Sequence, residues 1–130
     1  MISDPIADLL VRLRNAQAVR REKIVLPHSN MKAAILGILH KEEVIAGFTE
    51  KLVRGKKVLE VTLPSTSQNV SVPDFVRVSK PGRRMYIKAK DIPRPLRGYG
   101  LVVLSTPHGI MTGKEARRRG VGGELLFKER

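Results

Sequence analysis

From Pro64 to Pro73 the chain reads Pro-Ser-Thr-Ser-Gln-Asn-Val-Ser-Val-Pro, a mostly polar run bracketed by prolines. Proline has no amide hydrogen to give a helix or sheet, and the residue before it is pushed out of the helical region. Such a run reads as a linker. A chain of 130 residues fits one domain or two small ones, and the linker decides for two. The expected division is an N-terminal α/β domain over 1–64, a linker over 65–73 and a β-rich domain over 74–130. Only 4% of the residues are aromatic against 42% apolar overall, so the core must be built from Ile, Leu and Val.

The first piece alternates helix and strand signals. Ile6, Leu9, Leu10, Leu13 and Ala16 follow helical spacing, with Ser3 as expected N-cap, Pro5 in the first turn, and Asp4 and Asp8 near the positive end. Lys23 to Pro27 reads as a short strand. Met31 to Glu43 reads as a second helix with Ile35, Ile38 and Leu39 inward. Two strands, Gly47–Val53 and Lys57–Leu63, flank Arg54-Gly55-Lys56 as a hairpin, and Leu59, Val61 and Leu63 alternate as a buried face. The order is α-β-α-β-β.

The second piece reads as mostly β. Pro81-Gly82 suits the central positions of a type II turn, which predicts a hairpin around it. Gly100–Ser105 reads as a buried strand. Thr112 and Glu115 have capping-box spacing, so a short helix should run from Gly113 to Arg119 and stop at Gly120. Gly122–Glu129 reads as a closing strand. The fold class is α+β: two small α/β domains, the second mostly β with one short helix.

Charge points to the partner. The chain holds 25 Lys and Arg against 12 Asp and Glu, net +13. Residues 1–76 hold 11 basic and 8 acidic residues, and residues 77–130 hold 14 and 4, so the excess lies in the second piece. Such an imbalance calls for an anionic partner, above all a nucleic acid. There is no cysteine, so no disulfide and no thiolate metal site. No apolar run approaches a membrane span, and the N-terminus has no leader pattern. The expected location is the cytoplasm, or an organelle that makes the protein itself.

Catalytic signatures are missing. The glycines at 98, 100, 120, 122 and 123 precede strands, the reverse of the dinucleotide order, and there is no Walker pattern. His28, His40 and His108 lie far apart, with no metal-pair spacing. No cofactor is expected. Under strand alternation, however, Arg84, Tyr86 and Lys88 share a face: a basic strip carrying one ring that can stack on a base. Ser105, Thr106 and the following glycines add hydroxyls and close backbone approach at a strand end. Arg117, Arg118 and Arg119 add charge. The chemistry is RNA recognition. The alternatives within and beyond it are a regulator or chaperone acting on RNA and, further off, a small phosphate-binding enzyme.

Three stretches carry a resemblance. Asp4–Ala16 (DPIADLLVRLRNA), Arg77–Ile87 (RVSKPGRRMYI) and Leu104–Leu126 (LSTPHGIMTGKEARRRGVGGELL) are similar, in this order, to bacterial-type ribosomal protein eight of the small subunit. The resemblance implies binding to a helix in the central domain of small-subunit ribosomal RNA and support of that domain's assembly. It implies neighbouring small-subunit proteins as partners, the fifth being a candidate. Some members also repress translation of their own operon's messenger RNA. Carried over residue by residue, Ser105, Thr106, Gly109, Tyr86 and Glu124 match contact positions. Arg84, Lys88 and Lys56 are electrostatic additions, and Asp4, Arg12 and Asn15 on the first helix are further candidates. Pro107 stands where the family usually has a second serine, which removes a hydroxyl and an N–H and shifts the expected specificity onto Ser105 and Thr106. The chain also ends Phe-Lys-Glu-Arg, where relatives often end in a short apolar or aromatic tail.

Overall fold

A computed structural model describes residues 4–64, 72–93 and 100–129. Most of the expected linker, and Ser3 with its expected cap, lie outside the described residues. Helix α1 spans Pro5–Ala18, and its cap is Asp4, whose carboxylate accepts from the Ala7 N–H at 3.2 Å. This is the N-cap geometry that satisfies a free amide of the first turn, with Pro5 at the position where no amide hydrogen is needed.

The chain divides into two compact units, Asp8–Pro73 and Met1–Ala7 with Asp74–Arg130. The N-terminal residues therefore group with the second piece, where the sequence reading had put them with the first. Asp4 explains it: its carboxylate also accepts from the mostly buried Arg77 guanidinium at 3.2 Å.

In the unit Asp8–Pro73, β1 (Lys23–Pro27), β2 (Gly47–Val53) and β3 (Lys56–Thr62) form an antiparallel sheet in the order β1-β3-β2. Helix α2 covers Asn30–Lys41. It is displaced from the expected Met31–Glu43 because Ser29 Oγ accepts from the Lys32 N–H at 3.1 Å and starts it early, while Glu43 takes a positive φ of 63°. Leu13, Leu26, Ile35, Leu39, Leu59 and Val61 are buried. The β2–β3 connection is Arg54-Gly55, both at positive φ as a type I′ turn requires.

In the other unit, β4 (Phe75–Arg77), β5 (Tyr86–Ile87), β6 (Val102–Thr106), β7 (Gly109–Thr112) and β8 (Gly123–Glu129) form one sheet. The order is β4-β8-β6-β7, with β5 also paired to β8. Helix α3, Gly113–Arg119, is bounded as expected: Thr112 Oγ1 accepts from the Glu115 N–H and Gly120 closes it in the left-handed region. It packs over a core of Ile92, Val102, Leu104, Met111, Ala116 and Leu125. Phe127 is fully buried, edge-on to Phe75.

The expected hairpin at Pro81-Gly82 needs correction. The turn exists, with Lys80 and Arg83 exchanging two backbone hydrogen bonds and Gly82 at a φ of 87°. Its arms do not pair with each other. Both β4 and β5 run antiparallel to β8, so they share one direction and the turn is an excursion between them. The buried Ser79 closes that excursion by accepting from the Met85 N–H at 3.1 Å. Alternation therefore does not hold from Arg84 to Lys88: β5 is two residues long and Met85 is 40% exposed. Strand β7 was not expected at all.

Candidate nucleic-acid interface

The register of the larger sheet sets side chains in rows. Tyr86 pairs with Glu124, Glu124 with Ser105, and Ser105 with Ile110. Residues directly opposite each other share a face, so these four residues make one row across β5, β8, β6 and β7. Three of the expected contact residues are thereby brought together from positions far apart in sequence. Tyr86 is 74% exposed, so its ring is open to stacking.

Two glycines let the row close up. A Cβ on Gly123 would lie 2.1 Å from the Ser105 carbonyl oxygen, and one on Gly122 would lie 2.3 Å from that of Ile87. No side chain fits either place. The sequence predicts close backbone approach at the glycines of this segment; at Gly122 and Gly123 the backbones approached are those of Ile87 and Ser105, within the sheet itself.

Glu124 is held from two sides. Ser79 Oγ donates to its Oε2, and Arg84 Nη1 donates to the same oxygen at 3.0 Å. Partial burial pushes this carboxyl up. The Ser79 hydrogen bond, the Arg84 hydrogen bond and charge, and the Arg77 charge outweigh it and leave the pKa below the usual value. Oε1 takes no hydrogen bond among the described residues. The result is a fixed anion with one oxygen ready to accept. Ser79 was missed by sequence reasoning: a lone serine between Val78 and Lys80 carries no pattern, and its partner lies 45 positions away.

The hydroxyl loop separates into two roles. Ser105 is half-buried, and its hydroxyl makes no hydrogen bond among the described residues. Thr106 is only 9% exposed, and its Oγ1 donates to the Gly109 carbonyl at 2.8 Å and accepts from the His108 N–H at 3.1 Å. It ties the two-residue loop Pro107-His108 between β6 and β7, with Gly109 at a φ of 109°. Pro107 takes the second position of this turn, which its fixed φ favours. Thr106→Val should therefore cost about 1–2 kcal/mol, since two hydrogen bonds of a buried hydroxyl are lost. Ser105→Ala should stay within about 0.5 kcal/mol, below the worth of a typical hydrogen bond. Chemical denaturation of the two variants checks both.

The remaining candidates are more dispersed. Lys88 is exposed and precedes a short 3₁₀ turn at Ala89–Asp91. Arg84 is committed to Glu124, and Asp4 to its cap and to Arg77. Arg12, Asn15 and Lys56 belong to the other compact unit, with Arg12 paired to Asp8 at 3.1 Å. Of the three arginines ending α3, Arg118 and Arg119 bond Glu115 at 2.6 and 2.9 Å, and Arg117 donates to the Pro93 carbonyl. No group of three or more metal-ligating side chains occurs among the described residues. No helix among them is long and apolar enough to cross a membrane.

A family model described as Ribosomal protein S8 matches residues 4–128. The chain belongs to the ribosomal protein S8 family. It is 44% identical over 127 residues to the small ribosomal subunit protein uS8 of Koribacter versatilis, covering 97% of this chain and 96% of that one. It is 44% identical to the uS8 protein of Bartonella tribocorum over 128 residues, covering 98% and 97%. With that of Thermus aquaticus it shares 43% identity over 134 residues, covering 97% of each. The α+β architecture with two sheets agrees with this family. Members of the family are structural ribosomal proteins, and the chain is not an enzyme.

Proposed function

We propose that this protein is a structural constituent of the small ribosomal subunit that binds small-subunit ribosomal RNA directly, in its central domain, and supports assembly of that domain in the cytoplasm. The observation that carries the reading is the row Tyr86–Glu124–Ser105. It sets an exposed ring, a fixed carboxylate oxygen and an unengaged hydroxyl side by side on one sheet face. These are tools for reading an irregular RNA: stacking on an unpaired base, and hydrogen bonds to base edges or a ribose 2′-OH. Thr106, Pro107 and Gly109 act by shaping the loop next to Ser105. Lys88 and the wider basic surface of residues 77–130 supply phosphate contacts, which position the RNA without specifying it. Lys56, exposed at the start of β3, is a further candidate phosphate contact. A like-shaped element in its own operon's messenger RNA would engage the same row. Neighbouring small-subunit proteins, the fifth among the candidates, complete the surroundings.

The test is affinity for the central-domain helix across a salt series, against a hairpin of equal length whose irregular core is replaced by regular pairs. The expected preference is ~100-fold, about 2.7 kcal/mol, and it persists as salt rises, because counterion release is common to both RNAs. Equal and steeply salt-dependent binding to both would overturn the proposal.

A further inference from the structure

The unit Asp8–Pro73 carries a groove of about 550 Å³ that the RNA-reading row does not use. Arg12, Asn15 and Val19 line one side, and Lys23, Ile24 and Val25 line the other. Strand β1 is an outer strand of its sheet, paired only to β3 among the described residues. The phase of that pairing follows from its two ends. The Leu63 N–H donates to the Glu22 carbonyl at 2.8 Å, and the His28 N–H to the Lys57 carbonyl at 3.2 Å. In an antiparallel ladder the bonded residues alternate, so Ile24 and Leu26 also face β3. Lys23 and Val25 then turn their N–H and C=O groups outward, and Pro27 turns out a carbonyl alone. Neighbouring residues of β1 point to opposite sheet faces, yet Lys23, Ile24, Val25 and Leu26 all line the groove. The groove therefore meets the strand along its free edge.

The walls describe what would fill it. Val19 and Val25 are 67% and 54% exposed. Three cations, Arg12, Arg21 and Lys23, stand around them; Arg12 is paired with Asp8 at 3.1 Å and Lys23 with Glu60 at 3.6 Å, and Arg21 has no carboxylate partner among the described residues. Among the described residues no aromatic ring lines the groove, so an unpaired base would find nothing there to stack on. We propose that the free edge of β1 docks an extended segment of a partner protein in which acidic and aliphatic residues alternate. The segment adds as a strand to Lys23 and Val25, which share a face of β1; its aliphatic side chains lie on that face, against Val25 and the Lys23 stem, and its carboxylates lie on the other, toward Arg21 and Arg12, which also line the groove. Main-chain bonds give such strand addition its affinity, and alternate side chains give its specificity. The inference stands independently of the RNA-binding reading.

The experiment is amide NMR of the full-length protein titrated with a seven-residue Glu-Val alternating peptide, blocked at both ends. The expected result is saturable movement of the Lys23 and Val25 amides with slowed hydrogen exchange there. A peptide N-methylated at alternate residues, which cannot pair as a strand, should bind at least 10-fold more weakly. Val25→Pro removes an outward donor at an edge where proline is tolerated, and should weaken binding at least 10-fold. Should that variant misfold, Arg21→Glu gives the same reading: loss of the acidic peptide and gain of a Lys-Val one. Absence of saturable change at Lys23 and Val25, or equal binding of the N-methylated peptide, overturns the proposal. So does a regular RNA hairpin that moves the same amides and displaces the peptide.

Discussion

Gly123→Ala should lower the melting temperature of the protein by roughly 15 °C and remove most of its RNA preference. The added methyl carbon would sit 2.1 Å from the Ser105 carbonyl oxygen, 2.9 Å from its carbon and 3.0 Å from the Thr106 Cα. All three are backbone atoms, so no side chain can rotate away. Strands β6 and β8 must part at the pair Ser105–Glu124. Overpacking of this kind costs about 3 kcal/mol, and in a unit of this size each kcal/mol is worth roughly 4–8 °C. Parting the strands also separates the two residues the RNA reading relies on. Gly37→Ala is the matched control. It lies within α2, meets nothing within 4 Å, and should stabilise by about 1 kcal/mol through helix propensity. Opposite signs for one chemical change at two glycines, read by thermal denaturation, would show that the clash at Gly123 is what matters. A neutral Gly123→Ala would mean that β6 and β8 do not approach as described.

What could be read in advance was whatever local chemistry determines. Thr112, Glu115 and Gly120 bound α3 to the residue, because a cap and a left-handed stop lie within a few positions of the helix they limit. The alternation of Leu59, Val61 and Leu63 was equally legible, since burial on one face of a strand writes itself at period two. The Pro81-Gly82 turn was also legible, but not the pairing of its arms. A turn signature says that the chain bends, not which strand receives the bent segment, and here β8 receives both arms. Strand β7 is four residues squeezed between a turn and a helix cap, too short for any periodicity. Tyr86 and Ser105 were named singly, as a ring in a basic strip and a hydroxyl at a strand end, and Glu124 through a family resemblance. That they form one row is a fact of register, created by pairing between distant segments. Ser79 and the Gly122-Gly123 contacts depend on that same register.

Glu124→Gln separates the two ways in which a basic surface can hold RNA, because they predict opposite signs. If attraction to phosphate were the whole of binding, removing one negative charge from the site should tighten it, and the released Arg84 should add to the effect. If Oε1 accepts a hydrogen bond from a base or ribose donor, the neutral amide should weaken binding instead. Hydrogen bonds to charged groups are worth about 1.5–3 kcal/mol, so the expected loss is 10- to 100-fold on the irregular helix, with little change on regular pairs and no change in salt slope. Stability gives an independent check. The folded protein holds this carboxyl below its usual pKa, so its contribution is fully present above the unfolded value of about 4.3 and is lost as pH falls through the lower folded value. Denaturation between pH 7 and pH 3 should therefore show a steeper acid loss in the native protein than in Glu124→Gln. Parallel acid curves would mean that Ser79 and Arg84 do not hold the carboxylate. Tighter RNA binding by the variant would mean that Glu124 is tolerated at the interface rather than used there.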